Sequence, residues 1–215
     1  MKVHLLACGV FQPELDRVLE QISAESFPCR VAVTYLPARL HTDFDRLMDA
    51  VLAALDTITA DRIILLFGQR CHPRFDELLK ARSLISFSQS NCIELILGDR
   101  MKECDQAGRT FYLTPGWLLK WRDLLEPICG PGKFAIGKCL GHYVDRVLYI
   151  DTGVGGIDTA RLDEFFECTQ IPIEIEQAGM ATFKGNVLAA IAAAVATPAA
   201  GPVCLGAWSE ALPGK

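Results

Sequence analysis

Short apolar runs closed by glycine or proline alternate with helix-period stripes along most of this chain, and few folds accept that alternation. Val3 to Val10 is an apolar run that meets Gly9 at its end, as a central strand does. Pro13 then opens a helix whose Leu15, Val18, Leu19 and Ile22 share one face. Arg30 to Leu36 reads as a second strand, closed by Pro37, and Thr42 or Asp43 caps a helix striped by Phe44, Leu47, Met48, Val51, Leu52 and Leu55. Arg62 to Phe67 is a third strand; a short helix over Phe75 to Ala81 and a weak strand near Leu84 to Phe87 follow. Ser90-Asn91 caps a helix running from Cys92 towards Lys102. The second half continues with a strand at Thr110 to Thr114 and a helix from Trp117 to Leu125. A glycine-rich stretch at Gly130 to Gly141 reads as a loop, and Arg146 to Ile150 reads as a strand. A helix at Thr159 to Phe166, a strand at Pro172 to Ile175 and a helix at Phe183 to Val195 complete the pattern. The expectation is an α/β fold: a mainly parallel sheet flanked by helices and joined by right-handed crossovers. Asp61-Arg62-Ile63-Ile64-Leu65 echoes Asp145-Arg146-Val147-Leu148-Tyr149, which suggests two related half-domains within one domain of residues 1–215. Their sub-lobes fall at 1–108 and 109–196, with an irregular tail at 197–215.

The remaining composition narrows the function classes. A net charge of −5 with dispersed acids gives no electrostatic footprint for nucleic acid. Leu5-Leu6-Ala7-Cys8 looks like a lipoprotein cleavage site, but too few apolar residues precede Cys8 for a signal segment, so the stretch reads better as a buried strand. Val187 to Ala200 is broken by Pro198 and falls short of the roughly 20 residues a membrane span needs. A cytoplasmic protein with reduced thiols is expected. Its nine cysteines are then free to pack the core, ligate a metal or act as nucleophiles.

In a parallel sheet, the loops after the strand carboxyl ends share one edge, and ligands bind there. Cys8 ends the first strand, His41 follows the second, Cys71-His72 follow the third, and Cys92 opens the helix after the fourth. Soft thiolates with an imidazole can hold zinc, copper(I) or an iron–sulfur cluster. Cys92 is expected at a helix N-terminus, where the dipole and free N–H groups lower a thiol pKa, so an enzyme with Cys92 or Cys71 as nucleophile for methyl or acyl transfer is the alternative. Core filler is the bland account of the same residues. The other six cysteines, Cys29, Cys104, Cys129, Cys139, Cys168 and Cys204, have no such convergence and are assigned to packing or surface. Gly132 to Cys139 fits the spacing of a phosphate loop, but a helix precedes it where a strand is needed and cysteine replaces the hydroxyl residue. Asp151-Thr152-Gly153 occurs once in a chain that is not all-β, which excludes an aspartic-protease dyad, and the Gly153 to Gly156 turn reads as a plain strand-to-helix connection. Thr114 and Trp117 lie at another strand-to-helix junction, where they could wall a pocket for a flat cofactor or close the core.

Leu6-Ala7-Cys8-Gly9, Leu36-Pro37 with Leu40-His41, Gly68 to Cys71, Asn91-Cys92-Ile93 with Leu97-Gly98, and Tyr112-Leu113-Thr114 with Gly116-Trp117 together resemble the family called domain of unknown function 1638. The resemblance spans roughly Val3 to Gly153 and places Cys8, Cys71 and Cys92 on the family's motif positions. The chain departs from the pattern in two places: the loop at Cys71 carries Gln69-Arg70 and His72-Pro73 instead of glycines, and Asn91 replaces an acidic residue. The resemblance implies an anaerobic setting beside corrinoid-dependent methyltransferases, and with it a corrinoid methyltransferase or another metalloprotein as partner. The expected function is a metal- or iron–sulfur-binding protein in one-carbon or cofactor metabolism, with Cys8, Cys71 and Cys92 as ligands. His41 or His72, or an open position, completes the set. A corrinoid- or tetrapyrrole-binding site walled by Thr114 and Trp117 ranks lower, because the Asp-x-His-x-x-Gly pattern is missing. No nucleic acid or membrane partner is expected, and self-association is left open.

Overall fold

The computed structural model describes residues 1–24 and 28–196; the expected tail at 197–215, with Cys204, lies outside them. Two parallel sheets carry the fold. The first has the order β2-β1-β3-β4, from Lys2–Cys8 (β1), Arg30–Leu36 (β2), Arg62–Leu66 (β3) and Ile85–Ser86 (β4). The second has the order β5-β6-β7, from Thr110–Leu113, Arg146–Asp151 and Ile173–Gln177. Every pairing is parallel, and register sets Cys8 level with Leu36 and Ala7 level with Leu66, so the ends of β1, β2 and β3 share one edge. Val3, Leu5, Leu6 and Ala7 are fully buried, as a central strand covered on both faces must be.

The chain leaves β1 towards β2 and returns past β1 to reach β3, so the direction of winding reverses between β1 and β3. Right-handed crossovers then place α1 (Gln12–Ala24) on one face and α2 (Phe44–Thr57) and α3 (Phe75–Arg82) on the other. Both candidate halves contain a parallel sheet, and α9 (Ala181–Ala196) runs back from the second to cover β1, β3 and β4. The fully buried Phe183 of α9 stacks on Phe11 at 5.4 Å. On the second sheet, α6 (Pro115–Cys129), α7 (Lys133–Tyr143) and α8 (Thr159–Thr169) pack against one another. Among the described residues, no helix is long and apolar enough to cross a membrane.

Four expectations need correction. The helix expected from Cys92 to Lys102 is two helices, α4 (Cys92–Leu97) and α5 (Arg100–Gln106), because Gly98 adopts φ +60° and ends the first. The loop expected over Gly130 to Gly141 contains α7, whose Ile136 and Leu140 are buried one turn apart. Phe44, assigned to an apolar stripe, is 53% exposed and turns its ring to His72. Cys129 and Cys139, assigned to packing or surface with reduced thiols, form a disulfide across the α6–α7 turn, where the reversal brings their Cα atoms to 5.5 Å.

Candidate functional site

The edge formed by the ends of β1 and β3 is where an open parallel sheet binds ligands, and along it Cys8, Cys71 and Cys92 lie near enough to sense one another's charge. Cys8 is the last residue of β1, before a 3-10 turn at Gly9–Phe11. Cys71 ends the single turn Gln69–Cys71 that follows β3. Cys92 is the first residue of α4, whose cap Asn91 accepts the N–H groups of Ile93 and Glu94, both at 2.9 Å. Two contacts tie the Cys71 loop to the Cys92 loop: Gln69 N donates to Gln89 O at 3.2 Å, and Arg70 N to Ser90 O at 2.9 Å. A Cβ at Gly68 would lie 2.4 Å from Asn91 Cα, so glycine is what lets the two loops touch.

The three sulfurs act on one another. Burial pushes the Cys8 thiol up to about 12; the Val10 amide favours its thiolate, while negative charge on Cys92 or Cys71 would oppose it. Burial likewise pushes Cys92 up to about 12, and Cys71 is the next contribution in the same direction. The Trp117 indole and the backbone amides of Cys92 and Ile93 favour the Cys92 thiolate without offsetting burial. Cys71 is raised by burial and opposed by the Gly68 backbone. Cys92 is at a helix N-terminus as expected, but the expected lowering of its thiol is overturned, because desolvation outweighs the amides. Each sulfur is thus a neutral thiol at physiological pH in a shell of N–H groups that suit a thiolate. Among the described residues, no group of three or more His, Cys, Asp or Glu already has the spacing of an ion cage. Ligation therefore requires the thiols to close on the ion.

The two histidines part company. The His41 ring meets Trp117 edge-on at 5.2 Å, beside the Cys92 side of the edge, and burial lowers its pKa. His72 turns away: its Nδ1 accepts the Arg74 N–H at 3.0 Å and its ring packs on Phe44 and Phe75. It lines a separate cavity of about 680 Å³ between α2 and α3, with Phe44, Met48, Leu52, Arg74 and Arg82. Thr114 is buried and caps α6, its hydroxyl accepting the Trp117 N–H at 3.3 Å. Trp117 packs between His41 and Phe111, and its indole N–H lies near Cys92 while making no hydrogen bond among the described residues.

Sequence reasoning missed Glu14. It sits in the first turn of α1, where an acid is usually solvated, yet no part of it is exposed, and burial pushes its carboxyl up to about 7. Only the contact with the second sheet's edge distinguishes it from Glu20 on the same helix, and no local pattern encodes that contact.

The family model described as protein of unknown function (DUF1638) matches residues 35–187, more than two thirds of the chain, and the chain belongs to that family. The match includes Cys71 and Cys92 and begins after Cys8. No curated protein and no solved structure matches the chain.

Proposed function

We propose that this DUF1638 member binds a soft metal centre, an iron–sulfur cluster or a single zinc ion, through the thiolates of Cys8, Cys71 and Cys92. The observation that carries the reading is the combination at these sulfurs: Cys8 is buried and Cys71 and Cys92 are partly buried, they feel one another's charge, and amide or indole N–H groups face them. Burial without a cation penalises the thiolates, whereas a bound cation removes the mutual repulsion and lets those N–H groups bond to sulfur. Three protein ligands leave a fourth position, to be filled by His41 or by an incoming ligand, which suits electron transfer or delivery of a metal centre. A corrinoid methyltransferase or another metalloprotein is the partner that the family resemblance suggests.

The test is purification without oxygen, followed by measurement of iron, zinc, cobalt and labile sulfide. Stoichiometric metal that is lost in Cys71→Ala supports the reading; metal-free protein, after reconstitution as well, refutes it. The nucleophile reading predicts one thiol that alkylates far faster than the others at neutral pH, and the raised thiols argue for slow alkylation instead. A corrinoid site at Trp117 predicts a visible absorption change on cobalamin titration.

A further inference from the structure

Both carboxyl oxygens of Glu14 and the hydroxyl of Thr152, next after β6, are buried and have no hydrogen-bond partner among the described residues. Native interiors rarely leave such groups unpaired, and each exception calls for a reason. The Thr152 hydroxyl and the backbone amides of Glu14 and Gly116 face the carboxyl and favour its ionised form. Tyr149 of β6 and Tyr35 of β2 sense its charge; Tyr35 donates to Asp16 at 2.5 Å, and Tyr149 also senses Asp151 and Asp158. From α9, the contact nearby is the apolar Phe11–Phe183 stack. Among the described residues, no cation acts on the carboxyl.

The seam around Glu14 has no slack. A Cβ at Gly116 would lie 1.8 Å from the Val10 carbonyl oxygen, so the first turn of α6 rests directly on the turn that precedes α1. The Gly116 amide also faces the Glu14 carboxyl, so this fully buried carboxyl lies against the same backbone contact. The same residues back the thiol site: the Val10 amide faces Cys8, and Trp117, next to Gly116, faces Cys92.

We infer that Glu14 is a proton-operated latch: its neutral carboxyl holds the α1–α6 seam closed behind the thiols, and its ionisation opens the seam and exposes Cys8 and Cys92. The sign follows from linkage. The closed state raises the carboxyl from its ordinary 4.5 to about 7, so closure binds a proton. Closure is therefore fully favoured below the ordinary value and weakens as pH rises towards the closed-state value, levelling off above it. Between those limits the open population grows on the order of a hundredfold. The latch requires the location of the thiols and no metal, so it stands or falls separately from the metal-binding reading.

The experiment uses reduced, metal-stripped full-length protein pulsed with uncharged N-ethylmaleimide between pH 5 and 8. Modification of Cys8 and Cys92 is read by peptide mass spectrometry. Each rate is divided by that of the denatured chain at the same pH, which cancels thiol ionisation. Protection of both thiols should fall about fortyfold from pH 5 to 7 and level above that, and Glu14→Gln should remove the pH dependence. Thr152→Val takes away a hydroxyl that favours the carboxylate, and should move the levelling point to higher pH. A flat wild-type profile, or a wild-type profile retained in Glu14→Gln, overturns the latch. If Glu14→Gln does not fold, the Thr152→Val profile decides alone, and an unmoved levelling point overturns it.

Discussion

The thiol pKa directions make metal binding at Cys8, Cys71 and Cys92 strongly pH-dependent, and the slope counts the ligands. Burial pushes Cys8 and Cys92 up to about 12 and raises Cys71, so all three are protonated between pH 6.5 and 8. A thiol must lose its proton to ligate, and each proton released steepens the apparent affinity by about tenfold per pH unit. Three thiolates therefore give a slope of about three, or roughly a thousandfold per pH unit, with affinity rising as pH rises. An imidazole from His41 adds little to the slope, because burial lowers its pKa and the ring is already neutral. The assay is zinc competition against a chromophoric chelator under reducing conditions. Calorimetry in buffers of different ionisation enthalpy then counts the protons directly. Wild type should release about three protons, and Cys71→Ala about two. Release of one proton or fewer, or the same count in wild type and Cys71→Ala, refutes shared ligation by these sulfurs.

Other consequences follow from the packing. Gly116→Ala forces its methyl group into the Val10 carbonyl, 1.8 Å away, and should cost about 3 kcal/mol or more in denaturant unfolding, beyond the usual penalty of helical overpacking. Asn91→Ala removes the acceptor for the Ile93 and Glu94 N–H groups; a loss of about 1 kcal/mol is expected, together with weaker metal retention because Cys92 is next in sequence. The Cys129–Cys139 disulfide closes a loop with a sequence separation of 10, worth about 3 kcal/mol by chain entropy. Cys129→Ser should lower the melting temperature of oxidised protein by several degrees and leave reduced protein nearly unchanged.

The parts of the fold that the sequence makes legible are those set by local chemistry. The apolar runs at Val3, Arg30, Arg62 and Arg146 become the buried and half-buried strands, and Asp43 and Asn91 cap the helices they precede. Alternation of strands and helices puts the carboxyl ends of parallel strands on one edge, and this is what makes Cys8, Cys71 and Cys92, at or after the first, third and fourth strands, candidates from the sequence. Features fixed by tertiary contact were not legible. Between Gly130 and Gly141, the glycines suggest a loop, but Gly137 is required because a Cβ there would lie 2.6 Å from the Cys168 carbonyl oxygen, where α7 packs on α8. Low helix propensity is outweighed by that close contact. The Cys129–Cys139 pairing depends on the same helix reversal and was hidden with it.

Glu14 carries this argument furthest. Its helix presents Leu15, Val18 and Ile22 to the core, and a reading by periodicity assigns the neighbouring acid to solvent. The second sheet's edge, with Gly116 and Thr152, closes over that position from more than 100 residues away in the chain. Burying an acid without a hydrogen-bond partner costs stability at neutral pH, and an apolar residue at this position would avoid the cost. The same seam backs Cys8 through Val10 and Cys92 through Trp117, so the penalty falls on the contact that covers the thiols. A contact weakened at that point is easier to open there than it would be around an apolar residue. The buried acid and the thiols of the sheet edge thus form one system, in which proton uptake at Glu14 favours closure and proton release from the cysteines favours ligation.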